Sequence, residues 1–269
     1  MEATNETSTK RTAVEVEATS GEARSLARKQ AKAFAFVEHL ERLAGFSVVG
    51  GAIASIEDEP DEKKINRAAL AQLRRALGKK PDEAVPAFPY LARWTDGVQD
   101  AWQVECYFLV AALFASHAGR RSWHHGRGAK ERQRNFGASW RRLLDDKRED
   151  DGAMPADDEA KMTSLDRRFT TLLVSRREDL PARLRHAVRL LATNDIPVDW
   201  VQLLRDLMRW AARDGRERSW STHDVPTPQR AWAQAFWRVV ETSEASDDDG
   251  NDLRGANDTD QAASSTTEG

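Results

Sequence analysis

Within residues 164–210, large apolar side chains return every three or four positions, a spacing that commits the chain to amphipathic helices. Leu165, Phe169, Leu172 and Leu173 make one such stripe, and Leu180, Leu184, Ala187 and Val188 a second. Asp199, placed before Trp200, Leu203, Leu204 and Leu207, reads as the N-cap of a third helix. The polar faces of all three carry arginine and no lysine. Helices packed on one side and covered by guanidinium groups on the other suit a polyphosphate chain better than a small substrate.

The same periodicity recurs upstream. A helix is expected over 22–44, burying Phe34, Val37, Leu40 and Leu43 and stopped by Gly45. A second is expected over 62–77, with Leu70, Leu73 and Leu77 on one face and Gly78 and Pro81 at its end. Pro86 and Pro89 bracket a short helix start carrying Phe88, Leu91 and Trp94. Residues 98–117 form the most apolar helix, holding Trp102, Leu109, Val110, Leu113 and Phe114. A short helix is expected over 136–144 with Phe136, Trp140, Leu143 and Leu144 inward, and a last one with Trp232, Ala235, Phe236 and Val239. No β-alternation and no fixed-period repeat stands out.

The class read from this pattern is all-α, with two helical-bundle lobes between disordered tails. The expected organisation is a disordered extension over 1–22, an N-terminal lobe over 23–144, an acidic linker over 145–161, a C-terminal lobe over 162–240 and an acidic tail over 241–269. Nine acids against Arg254 alone give that tail a charge of −8, which leaves residues 1–240 at +5 within a chain of net charge −3. The folded part is therefore basic, as a partner of polyanions should be.

Basic residues gather in five places. Arg74 and Arg75 lie at the end of the second helix. The loop 118–134 carries Arg120, Arg121, Lys130, Arg132 and Arg134 around Trp123, His124 and His125, so that a base can stack on an aromatic while guanidinium groups hold the backbone. Arg141 and Arg142 follow on the next helix, close to Asp145, Asp146, Asp150 and Asp151, which can pair with them. Arg167 and Arg168 stand in the first turn of a helix, where positive charge opposes the macrodipole. Arg185 and Arg189, four apart, are expected to share one basic stripe.

Catalytic signals are poor. The chain has neither a G-x-x-x-x-G-K-[ST] phosphate loop nor a G-x-S-x-G elbow. His117, His124 and His125 lack the spacing of helix-borne metal ligands, and His223-Asp224 stands in a Pro/Ser/Thr-rich stretch without helical partners. Cys106, the single cysteine, lies in the apolar helix and reads as a small buried hydrophobe. No metal and no cofactor are expected. The longest apolar run, 104–115, contains Glu105 and is too short for a bilayer, and the polar N-terminus does not read as a signal peptide, so the expected location is cytoplasmic. The nine tryptophans read mainly as core, with an exposed subset of Trp210, Trp220, Trp232 and Trp237 as a candidate subunit contact.

Seven blocks occur in the order of one family: QLRRALGKKPDEAVPAFPYL, LVAALFASH, NFGASWRRLL, DRRFTTLL, LRHAVRLL, IPVDWVQLLRDLMRW and WAQAFW. In these the chain resembles CasB, the small subunit of the type I-E CRISPR Cascade complex, over about residues 34–237. The resemblance implies an all-helical, non-catalytic subunit that pairs with a second copy of itself. It would lie beside the backbone and large subunits, steadying the hybrid of crRNA and target DNA and holding the displaced strand. By motif position it points to Arg74, Arg75, Arg141, Arg142, Arg167 and Arg168; the loop residues match in character only. The alternatives are a purely structural adaptor and a metal-dependent phosphohydrolase built on His223-Asp224. The polar extension, the acidic linker and the acidic tail depart from the family, and the tail is a candidate competitor for the basic surface.

Overall fold

The computed structural model describes residues 27–46, 60–117, 135–150, 164–210 and 226–237, with side chains of the third stretch placed through residue 147. Every regular element among the described residues is helical: α1 (27–43), α2 (Arg67–Arg75), α3 (Phe88–Thr95), α4 (Ala101–Ser116), α5 (Phe136–Asp150), α6 (Ser164–Leu173), α7 (Leu180–Thr193), α8 (Trp200–Met208) and α9 (Pro228–Phe236). Short 3-10 turns occupy Glu62–Lys64, Pro81–Glu83 and Val85–Ala87. The all-α expectation holds.

Three of the expected helix boundaries move, two of them through capping chemistry at helix starts. The helix expected over 62–77 is two pieces, because Ile65 is extended and the Asn66 side chain accepts the Ala69 N–H at 2.9 Å, starting α2 afresh. The helix expected from residue 98 begins at Ala101, since Asp100 accepts the Trp102 N–H at 2.9 Å. α5 runs six residues past the expected end at Leu144, so 145–150 of the expected linker are helical. Lys, Arg and Glu favour the helix in this stretch, and DDKRED contains no Gly or Pro to break it. Asp199 is the N-cap of α8 as read, its carboxylate accepting the Gln202 N–H at 2.8 Å.

α4 is the centre of the packing. Residues 106–115 are all buried, so this helix is apolar around its whole circumference. It meets α2, α3, α7 and α8. The Trp102 indole N–H donates to the Leu207 carbonyl at 2.7 Å, and His117 Nε2 lies 3.0 Å from the Ile196 carbonyl, so polar atoms fix both ends of α4 within the core.

A second seam joins α5 to α9. Gly137 sits so close to the Trp232 backbone that a β-carbon there would overlap its carbonyl oxygen, which is why the helices approach this nearly. Asn135 bridges them, capping α5 with its oxygen and donating from Nδ2 to the Ala231 carbonyl at 3.0 Å. Behind the seam, Trp210, Trp232, Phe136, Trp140, Phe169 and Phe236 form an aromatic chain, with Phe169–Phe236 centroids 4.4 Å and Trp210–Trp232 centroids 5.0 Å apart. Trp210 and Trp232 are therefore core, whereas Trp237 is 47% exposed. Asp206 lies in the same layer, 1% exposed, accepting from Trp232 Nε1 at 2.6 Å, Gln202 Nε2 at 2.8 Å and Arg209 at 3.1 Å. Burial pushes its carboxyl above the ordinary value despite these donors.

Candidate nucleic-acid interface

α6 and α7 diverge around a groove of about 630 Å³. From α6 it is lined by Arg167, Arg168, Thr171 and Leu172; from α7 by Arg183, His186, Ala187, Arg189, Leu190 and Thr193; Trp140 of α5 completes it. The burial pattern of each helix explains the arrangement. Phe169 and Leu172 turn α6 inward, leaving Arg167 and Arg168 exposed, about 100° apart around the axis. Leu180, Leu184, Val188 and Leu191 turn α7 inward, and the positions beside that stripe, Arg183, His186 and Arg189, face outward.

Among the described residues, no Asp or Glu lines the groove. Among the described residues, its four guanidinium groups and the His186 imidazole make no ion pair or side-chain hydrogen bond. Thr171 Oγ1 donates to the Arg167 carbonyl at 2.7 Å and Thr193 Oγ1 to the Arg189 carbonyl at 2.9 Å, so both hydroxyl protons are committed within their own helices. The four guanidinium groups left for an occupant are cationic, and an anion relieves the repulsion among them.

Several other arginines are fasteners. Arg74 Nε donates to the Ala115 carbonyl at 2.7 Å, tying α2 to the end of α4, while its neighbour Arg75 is exposed. Arg141 pairs with Asp145 at 2.8 Å and reaches the Phe236 carbonyl at 3.5 Å, and Arg142 is exposed. Arg177 places Nε and an Nη on the Trp210 carbonyl at 2.9 and 2.7 Å and lies 5.1 Å from the Trp102 ring centroid. Arg185 reaches the Leu77 carbonyl at 2.8 Å. It does so over Gly78, whose φ of +82° ends α2 and where a β-carbon would overlap the guanidinium. Arg185 and Arg189 thus do not form the single stripe expected of them: the first crosses to α2, and the second lines the groove.

Of the sequence candidates, then, Arg167 and Arg168 come together in the groove, while Arg74, Arg75, Arg141 and Arg142 stand on α2 and α5. Arg120, Arg121, Lys130, Arg132 and Arg134 lie outside the described residues, as do His124, His125 and His223-Asp224. The sequence reading missed Arg183 and His186, although their spacing beside the Leu180–Leu184–Ala187 stripe carried the signal. Among the described residues no three His, Cys, Asp or Glu side chains gather as a metal site. Cys106 is fully buried and burial pushes its thiol well above the ordinary range. No helix among the described residues is long and apolar enough to cross a membrane.

Fold and groove together define an all-helical protein whose cationic side chains surround a concave surface. The family model described as CRISPR-associated protein Cse2 matches residues 69–237, and the chain belongs to that family. A Cse2 protein of Thermus thermophilus is 29% identical over 144 residues, 53% of this chain and 69% of that protein. The crystal structure of M. ruber CasB is 30% identical with a TM-score of 0.51, covering 77% of this chain and 93% of that one. A chain of a CRISPR RNA-guided surveillance complex is 20% identical with a TM-score of 0.49, covering 77% and 92%.

Proposed function

We propose that this chain is a non-catalytic small subunit of a type I-E CRISPR surveillance complex. In this reading it grips nucleic acid without reading sequence, stabilising the hybrid of crRNA and target DNA and the displaced strand. Its protein partners are the backbone and large subunits and a second copy of itself. Family membership supports the CRISPR assignment, and the acid-free groove between α6 and α7 carries the nucleic-acid part.

The groove supplies charge without base-reading geometry, which suits a partner of any sequence. Opening a duplex against a guide is a near-balanced exchange, so a few contacts to an opened strand decide whether it stays open; the principle is stated for another effector class and holds here by analogy. The test is R-loop lifetime in the assembled complex. With Arg167→Ala and Arg168→Ala, R-loops should dissociate faster while the complex still assembles and the subunit keeps its helicity. An unchanged lifetime overturns the assignment of this surface. Protein–DNA crosslinks at the groove separate it from an adaptor, whose arginines would crosslink to protein alone.

A further inference from the structure

The groove is more than a charged surface: most of its exposed wall is apolar. Leu172, Ala187, Leu190 and Trp140 line it beneath the arginines, and the two threonine hydroxyls point their hydrogen bonds back into their own helices. A run of phosphates needs only the rim and would leave this floor to water. A volume of about 630 Å³ lies within the range of small-molecule pockets, roughly 300–1,000 Å³, and above what a phosphate alone fills. Arg167 and Arg168 come to the cavity from α6 and Arg183 and Arg189 from α7, so two helices supply its cations.

We propose that the groove takes one unpaired nucleotide, the base lodged against the carbon floor and guanidinium planes, the flanking phosphates held by the rim arginines. A flat apolar face joined to an anion is the one occupant that uses both halves of the lining. A base in a duplex is stacked and paired and cannot enter, so the site selects opened strand. Selection of this kind requires no hydrogen bond to a base edge, consistent with binding that ignores sequence. This inference rests on the nucleic-acid reading above and names the form of nucleic acid that the same site takes.

The experiment compares two oligomers with equal phosphate number, (dT)12 and a 12-mer of abasic tetrahydrofuran residues, binding to the full chain at matched salt. We expect the abasic oligomer to bind about tenfold more weakly, the scale of losing one stacked base. Thr171→Leu with Thr193→Leu fills the groove from two exposed positions, removes no charge and raises helix propensity, so the fold is kept. This variant should bind (dT)12 only as well as the abasic oligomer, and the abasic oligomer as the unaltered chain does. Arg183→Ala with Arg189→Ala should weaken both oligomers. Equal binding of the two oligomers by the unaltered chain overturns base lodging, as does a base preference that survives groove filling; in either case a loss with the arginine variant leaves the nucleic-acid reading standing. Full affinity of the arginine variant for both oligomers overturns that reading as well.

Discussion

Arg185 and Arg189 are one helical turn apart on α7 and do opposite things. Arg185 is anchored on the Leu77 carbonyl and joins α7 to α2; Arg189 lines a groove in which no carboxylate of the described residues meets it. The difference extends through the molecule. Arg74, Arg141, Arg177 and Arg209 end on carbonyls or carboxylates of other turns, whereas Arg167, Arg168 and Arg183 join Arg189 around the cavity. Fasteners satisfy acceptors left open at helix ends, a need of every helix C-terminus. Groove arginines meet no acceptor among the described residues, which leaves them available to an anionic occupant. Two separable phenotypes follow: loss of a fastener costs stability, and loss of a groove residue costs affinity.

The largest effect should come from removing the whole rim. With Arg167, Arg168, Arg183 and Arg189 all changed to Ala, affinity for single-stranded DNA at low salt should fall by roughly a hundredfold or more, on the order of two or more lost charged hydrogen bonds. The slope of log affinity against log salt should shrink by about 3, at ~0.7 per phosphate released. The thermal midpoint should stay level or rise, because four like charges have been removed. A falling midpoint would place these residues among the fasteners.

Arg177→Ala should give the reverse. It deletes two hydrogen bonds to the Trp210 carbonyl and a cation–π contact with Trp102, so urea titration should show a loss of about 2 kcal/mol. Oligonucleotide affinity should not move. The pair on α7 sharpens the contrast at smaller scale. Arg185→Ala, from an exposed fastener, should lower stability by about 0.5–1 kcal/mol and leave affinity alone, and Arg189→Ala should lower affinity and leave stability alone. Matching effects of the two variants on both measurements would erase the distinction.

This division is what the sequence concealed. The helices were legible because Phe169, Leu184 and Leu207 announce buried faces at 3.6-residue spacing, and Asp199 announces a start. Arg141 next to Asp145 was legible as a local pair, four residues apart. The partners of Arg74, Arg177 and Arg185 were not, because Ala115, Trp210 and Leu77 lie 41, 33 and 108 residues away and accept through backbone carbonyls that every residue has. For the same reason composition shows where guanidinium groups are dense but not which of them a carbonyl already holds. The groove itself depends on how α6 and α7 diverge, a tertiary fact, and so Arg183 and His186 passed unnoticed beside better-marked neighbours.

The smallest effect concerns the one fastener whose partner titrates in the core. Arg209 ends on Asp206, which is 1% exposed and whose carboxyl is raised above 3.8 chiefly by burial. A carboxyl raised in the folded state binds its proton more readily there than in the unfolded chain. Its ionised form therefore costs stability above the raised value, and acidification recovers that cost through the raised value, completing the recovery below 3.8. Asp206→Asn removes this titration and leaves the other acids in place. The stability of the unaltered chain minus that of the variant should accordingly climb as pH falls from neutrality and level off below 3.8, read by urea midpoints across the range. A difference that stays flat, or that falls on acidification, would mean that Arg209, Gln202 and Trp232 outweigh burial and hold Asp206 as an ordinary ionised partner. The groove rim, with no carboxylate among its residues, should show no counterpart of this dependence in the acid range.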